Sequence, residues 1–450
     1  MSSFVTPPLN TPSPPAASAA PAAPAAPAPP AAPAPPAPPA PPAPPAALAG
    51  IRVLDLSRIL AGPWAAQTLA DLGAEVIKVE RPDTGDDTRV WGPPFLTDPQ
   101  TQERADAAYF MACNRGKKSI TLDFTQKAGA DLVRALVLEC DVLIENFKVG
   151  GLQKYGLDYA SLKAIHPRLV YCSITGFGQT GPYAQRPGYD FLIQAMGGLM
   201  SITGERDDLP GGGPQKVGVA ITDVMTGLYS TVGILAALRS RDTTGVGQHI
   251  DMALMDVQVA ALANQASSFL VTGQAPKRLG NEHPSISPYQ SLPANDGYFI
   301  LATGNDSQFK SFCVASGHPE LAQDPRFLSN GERVANRDAL TQALGAITRE
   351  KSINDWTVIM EKAGVPCGPI NTLDRVFADP QVLARGIKID IDHPKYGQVP
   401  SVANPIHLSH TPIEYKRAPP ELGAHNEEVL RSLLRLDGPA IAELKAQGII

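Results

Sequence analysis

From Ile51 to Glu80 the sequence writes a strand, a helix and a strand within thirty residues, and no other feature limits the fold as much. Ile51-Arg52-Val53-Leu54-Asp55-Leu56 reads as a strand. Pro63 stands where a first helical position is expected, Trp64 to Leu72 continue the helix, and Gly73 ends it. Glu75-Val76-Ile77-Lys78-Val79-Glu80 is the second strand. Such a βαβ unit implies a parallel sheet with right-handed crossovers and a ligand site at the carboxyl ends of its strands, the edge where Arg58 and Arg81 would lie. The pattern continues with a helix over 128–139, a strand over 141–145, a helix over 159–165 and a strand over 169–174. A long apolar helix is expected from Val224 to Arg239. After a turn over 243–248, another strand starts at His249, and Gly297 to Ala302 is strand-like again.

The first fifty residues hold nineteen of the chain's 45 prolines and carry no charge. Between Thr11 and Ala47 they are almost wholly Pro, Ala and Ser, which cannot build a core and favours a solvated polyproline-II tail, so residues 1–48 are set outside the fold as a disordered tail. The tail lacks the basic start and apolar run of a secretory signal and the arginines of a mitochondrial presequence. What remains exceeds a single ordinary core. The expected division is a large domain over 49–245, a linker over 246–276, a smaller domain over 277–365 and a return to the large domain over 366–450. No run of 18 apolar residues points to a membrane partner, and a net charge of −6 argues against a nucleic-acid partner. Five cysteines, odd in number and never spaced Cys-x-x-Cys, favour a reducing, cytoplasmic location and speak against a disulfide framework or a metal site.

Gly176-Phe177-Gly178-Gln179-Thr180-Gly181 matches the dinucleotide fingerprint in its letters. Pro182, Arg186, Pro187 and Gly188 interrupt the helix that a pyrophosphate would need, so neither NAD nor flavin is expected as cofactor. Asp223 precedes the long helix, and its plain reading is an N-cap. A carboxylate held ionised by a helix dipole and backbone donors would also be a competent nucleophile at neutral pH. Asp190, before Phe191-Leu192-Ile193-Gln194, reads as a helix start, and Arg81 and Lys154 as surface charges.

Taken together, the segments Ala61-Gly62-Pro63, Asp71 to Glu80, Lys117-Lys118-Ser119-Ile120, Glu145-Asn146-Phe147, Gly181-Pro182-Tyr183 and Gly218 to Gly227 resemble those of the class III CoA-transferases. This is the CaiB/BaiF type, the family of formyl-CoA transferase and carnitine CoA-transferase, and the likeness covers residues 50 to 450. Arg278-Leu279-Gly280-Asn281, His283-Pro284 and Pro288-Tyr289-Gln290 are most similar to the succinyl-CoA:glutarate CoA-transferase branch. The resemblance implies an α/β fold with a Rossmann-like large domain built from both ends of the chain, a smaller inserted α+β domain, and an interlocked homodimer. It implies Asp223 as nucleophile, supported by Asp190 and Tyr189. Coenzyme A, arriving as acyl-CoA, would lie along Arg58, Leu60, Ala61, Arg81, Leu122, Asp123, Phe124, Thr125, Asn146, Phe147, Lys148, Lys154, Pro187 and Gly188. At Leu60 the formyl-CoA enzyme has a glutamine, and its tetraglycine loop has no counterpart here, Gly211-Gly212-Gly213 lying too early.

Displacing a thiolate of pKa about 8.5 with a carboxylate of about 4 is uphill by roughly 6 kcal/mol at about 1.4 per unit. Remote binding energy and donors aimed at the oxyanion must supply this, with backbone amides near Gly197-Gly198 as the expected donors. Succinyl-CoA is the expected donor and a dicarboxylate the acceptor, its distal carboxylate held by Arg278 or His283. An α-methylacyl-CoA racemase shares the fold implied by the resemblance, but needs a histidine where Tyr189 stands, and tyrosine at pKa about 10 is a weak replacement. A third reading is a non-catalytic adaptor recruiting partners through its Pro-rich tail.

Overall fold

The computed structural model describes residues 45–450, so the tail expected over 1–48 lies outside them except for its last four residues. Those four already touch the fold, because the Leu48 N–H donates to Leu72 O at 2.9 Å.

Six strands form the principal sheet: β1 (Arg52–Asp55), β2 (Glu75–Glu80), β3 (Lys117–Thr121), β4 (Val142–Glu145), β5 (Val170–Thr175) and β6 (His249–Ala253). Their order is β3-β2-β1-β4-β5-β6, and every neighbouring pair is parallel. Five helices matter for the site: α1 (Ala61–Asp71), α2 (Lys127–Leu138), α3 (Tyr159–Ile165), α4 (Asp190–Met196) and α5 (Ile221–Thr244). Alternate strand residues feed two cores. Leu54, Ile77, Leu143 and Tyr171 pack with Val133 and Leu136 of α2 and Leu162 of α3. Val53, Val76, Ile144 and Cys172 pack with Ala65 and Leu69 of α1 and Ile234 and Leu238 of α5. Both faces of the sheet are therefore covered, as parallel sheets require.

A second, antiparallel sheet of β7 (Tyr289–Ala294), β8 (Gly297–Ala302) and β9 (Cys367–Pro369) runs in the order β9-β8-β7. It has its own apolar core around Phe299, Phe312, Leu344 and Trp356. Beyond a hairpin of Lys388–His393 with Gly397–Val402, the chain returns to the first core through Val429 of the helix Asn426–Leu434.

Boundaries differ from expectation at two helices. Pro63 is the third residue of α1, not the first. α5 starts at Ile221 and runs on through Thr244, taking in part of the expected turn, and stops at Gly245, whose φ of +74° suits glycine. Ala220 is consequently its N-cap and offers no side-chain acceptor, so Asp223 is not a cap but the third helical residue. Although no unbroken apolar run was expected, α5 is long and apolar enough by length and composition to cross a bilayer. Here one of its faces packs on α1. Gly227 allows the close approach, since a Cβ there would sit 2.7 Å from Ala61 O and 3.0 Å from Trp64 Cβ.

Candidate active site

Strand order reverses between β1 and β4, and in an open parallel sheet the loops leaving two such strands diverge and leave a crevice. Asn146 bridges these loops. Its Oδ1 accepts from the Arg58 N–H at 2.9 Å and its Nδ2 donates to Arg58 O at 2.7 Å. The next residue, Ile59, has a φ of +73°, left-handed backbone that costs a β-branched residue about 1–3 kcal/mol. Asp86 holds it there, both carboxylate oxygens accepting the Ile59 N–H, at 3.3 and 3.2 Å. Asp86 pairs in turn with Lys78 at 2.9 Å, both side chains fully buried, and Lys78 also donates to Ser57 O at 2.8 Å. Burial alone would push the Asp86 carboxyl up, but Lys78 and bonds from Thr88 draw it down to about 2.

The crevice is a cleft of about 880 Å³. Every residue to which the resemblance gave CoA contact lines it: Arg58, Leu60 and Ala61 after β1, Arg81 after β2, Leu122 to Thr125 after β3, Asn146 to Lys148 and Lys154 after β4, and Pro187 and Gly188 ahead of α4. Tyr189 and Asp223 line it too. Asp190 does not. Arg58, Arg81, Lys148, Lys154 and Arg186 set cations along the lining beside the carboxylates of Asp83 and Asp123, while Phe124 meets Phe147 and Tyr155 edge-on at 5.6 and 5.8 Å. A Cβ on Gly176 would lie 2.6 Å from Gly188 Cα, so two backbone segments touch here, and no helix forms between β5 and α4.

Asp190 supplies the cap that α5 lacks. Its Oδ2 accepts from the N–H groups of Thr222 at 2.8 Å and Asp223 at 3.3 Å, and its Oδ1 takes Gln194 Nε2 at 2.6 Å. The donors at the start of α5 thus satisfy Asp190 rather than the Asp223 carboxyl. Burial first, and then the charge of Asp190, push Asp223 up to about 7. This reverses the expectation that the helix start would hold it ionised at a low pKa.

Three further expectations are corrected. The amides of Gly197 and Gly198 donate to Ile193 O at 2.7 Å and Ala195 O at 3.4 Å, which leaves neither free for an oxyanion. Arg278 lies outside the cleft, bonded to Asp207 and to Ser201 O at 3.3 Å. His283 is outside as well, its Nδ1 accepting from Ser285 N–H at 3.1 Å.

Sequence reasoning missed two groups. Tyr109 stacks edge-on against Trp91 at 5.6 Å, and its phenol is pushed up to about 12, by burial first and then by the charges of Asp223, Cys113 and Asp190, so it stays protonated. Nothing in Asp106-Ala107-Ala108-Tyr109-Phe110 marks it. Glu145, last residue of β4, is lifted to about 7 by burial and accepts the Phe147 N–H at 2.8 Å, bracing the loop that carries Asn146.

The family model for CoA-transferase family III matches residues 48–426. The chain belongs to CoA-transferase family III. This CoA-transferase is 51% identical over 393 residues to the succinate–glutarate CoA-transferase of Agrobacterium fabrum, covering 87% of this chain and 97% of that one. It is 42% identical over 403 residues to the human succinyl-CoA:glutarate CoA-transferase, covering 90% of each. The crystal structure of a CaiB/BaiF family protein from Brucella suis matches it with a TM-score of 0.77 at 56% identity, over 86% of this chain and 99% of that one. The resemblance read from the sequence is borne out, and with it an α/β CoA-transferase with a parallel sheet that acts on CoA thioesters.

Proposed function

We propose that this transferase moves CoA from succinyl-CoA to glutarate or a similar dicarboxylate through covalent intermediates on Asp223. The observation that carries the reading is a half-buried carboxyl group, with its pKa raised to about 7, in the wall of a cleft that also presents Arg58, Arg81, Lys148, Lys154 and Arg186. An Asp223 oxygen attacks the thioester carbon, the C–S bond breaks, and a mixed anhydride and CoA thiolate result. The thiolate then attacks the aspartyl carbonyl and displaces succinate, leaving aspartyl-CoA. Glutarate attacks that thioester and releases thiolate, which takes the glutaryl group back from the new anhydride and frees Asp223. At its ordinary pKa the carboxylate would be a much poorer base than the thiolate it displaces. A pKa of about 7 narrows the gap to about 1.5 units, or roughly 2 kcal/mol instead of about 6.

The choice of acids rests on the relatives named for succinate or succinyl-CoA and glutarate. A homodimer belongs to the same reading. Its support is the exposed apolar surface of Phe191 and Leu192 on α4, Tyr229 and Val232 on α5, and Leu270 and Val271 further on, which a second copy would cover.

Incubation with succinyl-CoA and a panel of acids, followed by mass spectrometry, should give glutaryl-CoA and succinate, and donor plus hydroxylamine should convert Asp223 to a hydroxamate. Equal turnover of monocarboxylates would remove the dicarboxylate assignment, and an unmodified Asp223 the covalent one. The pH dependence is a second test. Only the ionised carboxyl attacks, so kcat/KM for succinyl-CoA should fall about tenfold per pH unit below about 7 and level off above it. A profile flat down to pH 5 contradicts the assignment.

A further inference from the structure

We propose that Asp86 is a positioning residue for acyl-CoA: it fixes Ile59 in left-handed backbone and thereby sets the cleft wall at Leu60 and Ala61. The inference rests on the reading of the cleft as an acyl-CoA site. Asp86 has no exposed side-chain surface with which to hold a ligand, so it acts through the loop.

Each peptide group of this loop is tied to a different anchor. Ser57 O takes Lys78, Arg58 N–H and O pair with Asn146, and Ile59 N–H goes to Asp86. Asp87 adds a bond to the Arg58 guanidinium at 2.8 Å. Isoleucine released from its anchor relaxes to negative φ, because its branched Cβ clashes in the left-handed region. That rotation turns the peptide joining Ile59 to Leu60, the N-cap of α1, and carries Leu60 and Ala61 with it. A carboxylate is needed at residue 86 because four donors converge on it: the Ile59 N–H, Lys78 Nζ, and the Thr88 N–H and hydroxyl. An asparagine has one oxygen for them and turns an NH₂ toward the rest.

The test is a double-mutant cycle on the full-length protein, read by calorimetric CoA affinity and by the KM of each substrate. Asp86→Asn should raise the CoA Kd and the succinyl-CoA KM about tenfold and leave the acceptor KM within about twofold, because only the wall beside the thioester ligand moves. In an Ile59→Gly background, where left-handed backbone has no strain to release, the same substitution should raise them less than about threefold. Equal effects in both backgrounds, or a fall in kcat with both KM values unchanged, overturn the proposal. If Asp86→Asn does not fold, Ile59→Pro takes its place, since proline removes the N–H and forces negative φ while sparing the Asp86–Lys78 pair. It should give the same rise for acyl-CoA alone, and unchanged CoA affinity refutes the role. Wild-type protein that binds no CoA would instead overturn the reading of the cleft, and this inference with it.

Discussion

Asp223→Asn is expected to lower kcat by at least about 10⁴-fold while raising the melting temperature at pH 8 by a few degrees. In the proposed cycle the amide cannot form the anhydride, so transfer should be lost and not merely slowed by weaker binding. The gain in stability has a separate cause. A carboxyl group whose pKa rises from the ordinary range to about 7 on folding binds its proton more tightly in the folded state. The folded protein therefore loses stability as pH climbs through the interval from about 4 to about 7, and the loss is complete above it. Three pKa units correspond to about 4 kcal/mol, and partial solvation of the cleft brings the expected gain to about 1–3 kcal/mol. Single-turnover assays and thermal melts at pH 5 and pH 8 check both halves, with the melting difference at pH 5 reduced to about a third of that at pH 8. A variant that retains transfer, or melts lower at pH 8, contradicts the role given to the side chain.

Lys117→Met should cost about 3–5 kcal/mol and lower the denaturant midpoint accordingly. Lys117 of β3 and Asp55 of β1 stand on either side of β2, are both fully buried and meet at 2.9 Å. The ammonium donates to Asp55, to Pro63 O at 3.0 Å and to Asn114 Oδ1 at 2.9 Å, so all three of its protons are used. Methionine fills the volume but leaves the Asp55 carboxylate short of its closest counter-charge inside the protein. Adding Asp55→Asn should recover part of the loss, because the double variant buries no unpaired charge. Chemical denaturation of Lys117→Met, Asp55→Asn, the double variant and the wild type separates the pair's coupling from the simple loss of packing.

The strands of the principal sheet were legible because Val, Ile and Leu runs punctuated by Gly73 and Pro63 are local signals, and β2 spans the residues read for it. Its burial was not legible. Ile-Lys-Val-Glu over 77–80 alternates like a strand with one wet face, yet Lys78 and Glu80 are buried. Their partners, Asp86 for Lys78 and Arg89 and Ser119 for Glu80, come from a loop and from a neighbouring strand. The residues expected along CoA could be carried over from the resemblance because each follows a strand end, and strand ends converge at the switch point. Asp223 was found but its electrostatics were misjudged. A local rule made it a cap, whereas Asp190, whose contact with α5 is made only in the folded chain, takes that position. Tyr109 and Glu145 owe their properties to burial, which no short motif encodes.

Because the start of α5 is closed by a carboxylate from 32 residues earlier in the chain, its first turn is secured by docking of α4 and not by its own sequence. The amides of Thr222 and Asp223 are shielded from solvent deuterium only while α4 stays seated, so exchange at these two positions measures undocking of a seven-residue helix rather than unfolding of the long one. A brief excursion of α4 would leave the fold whole and Asp223 adrift.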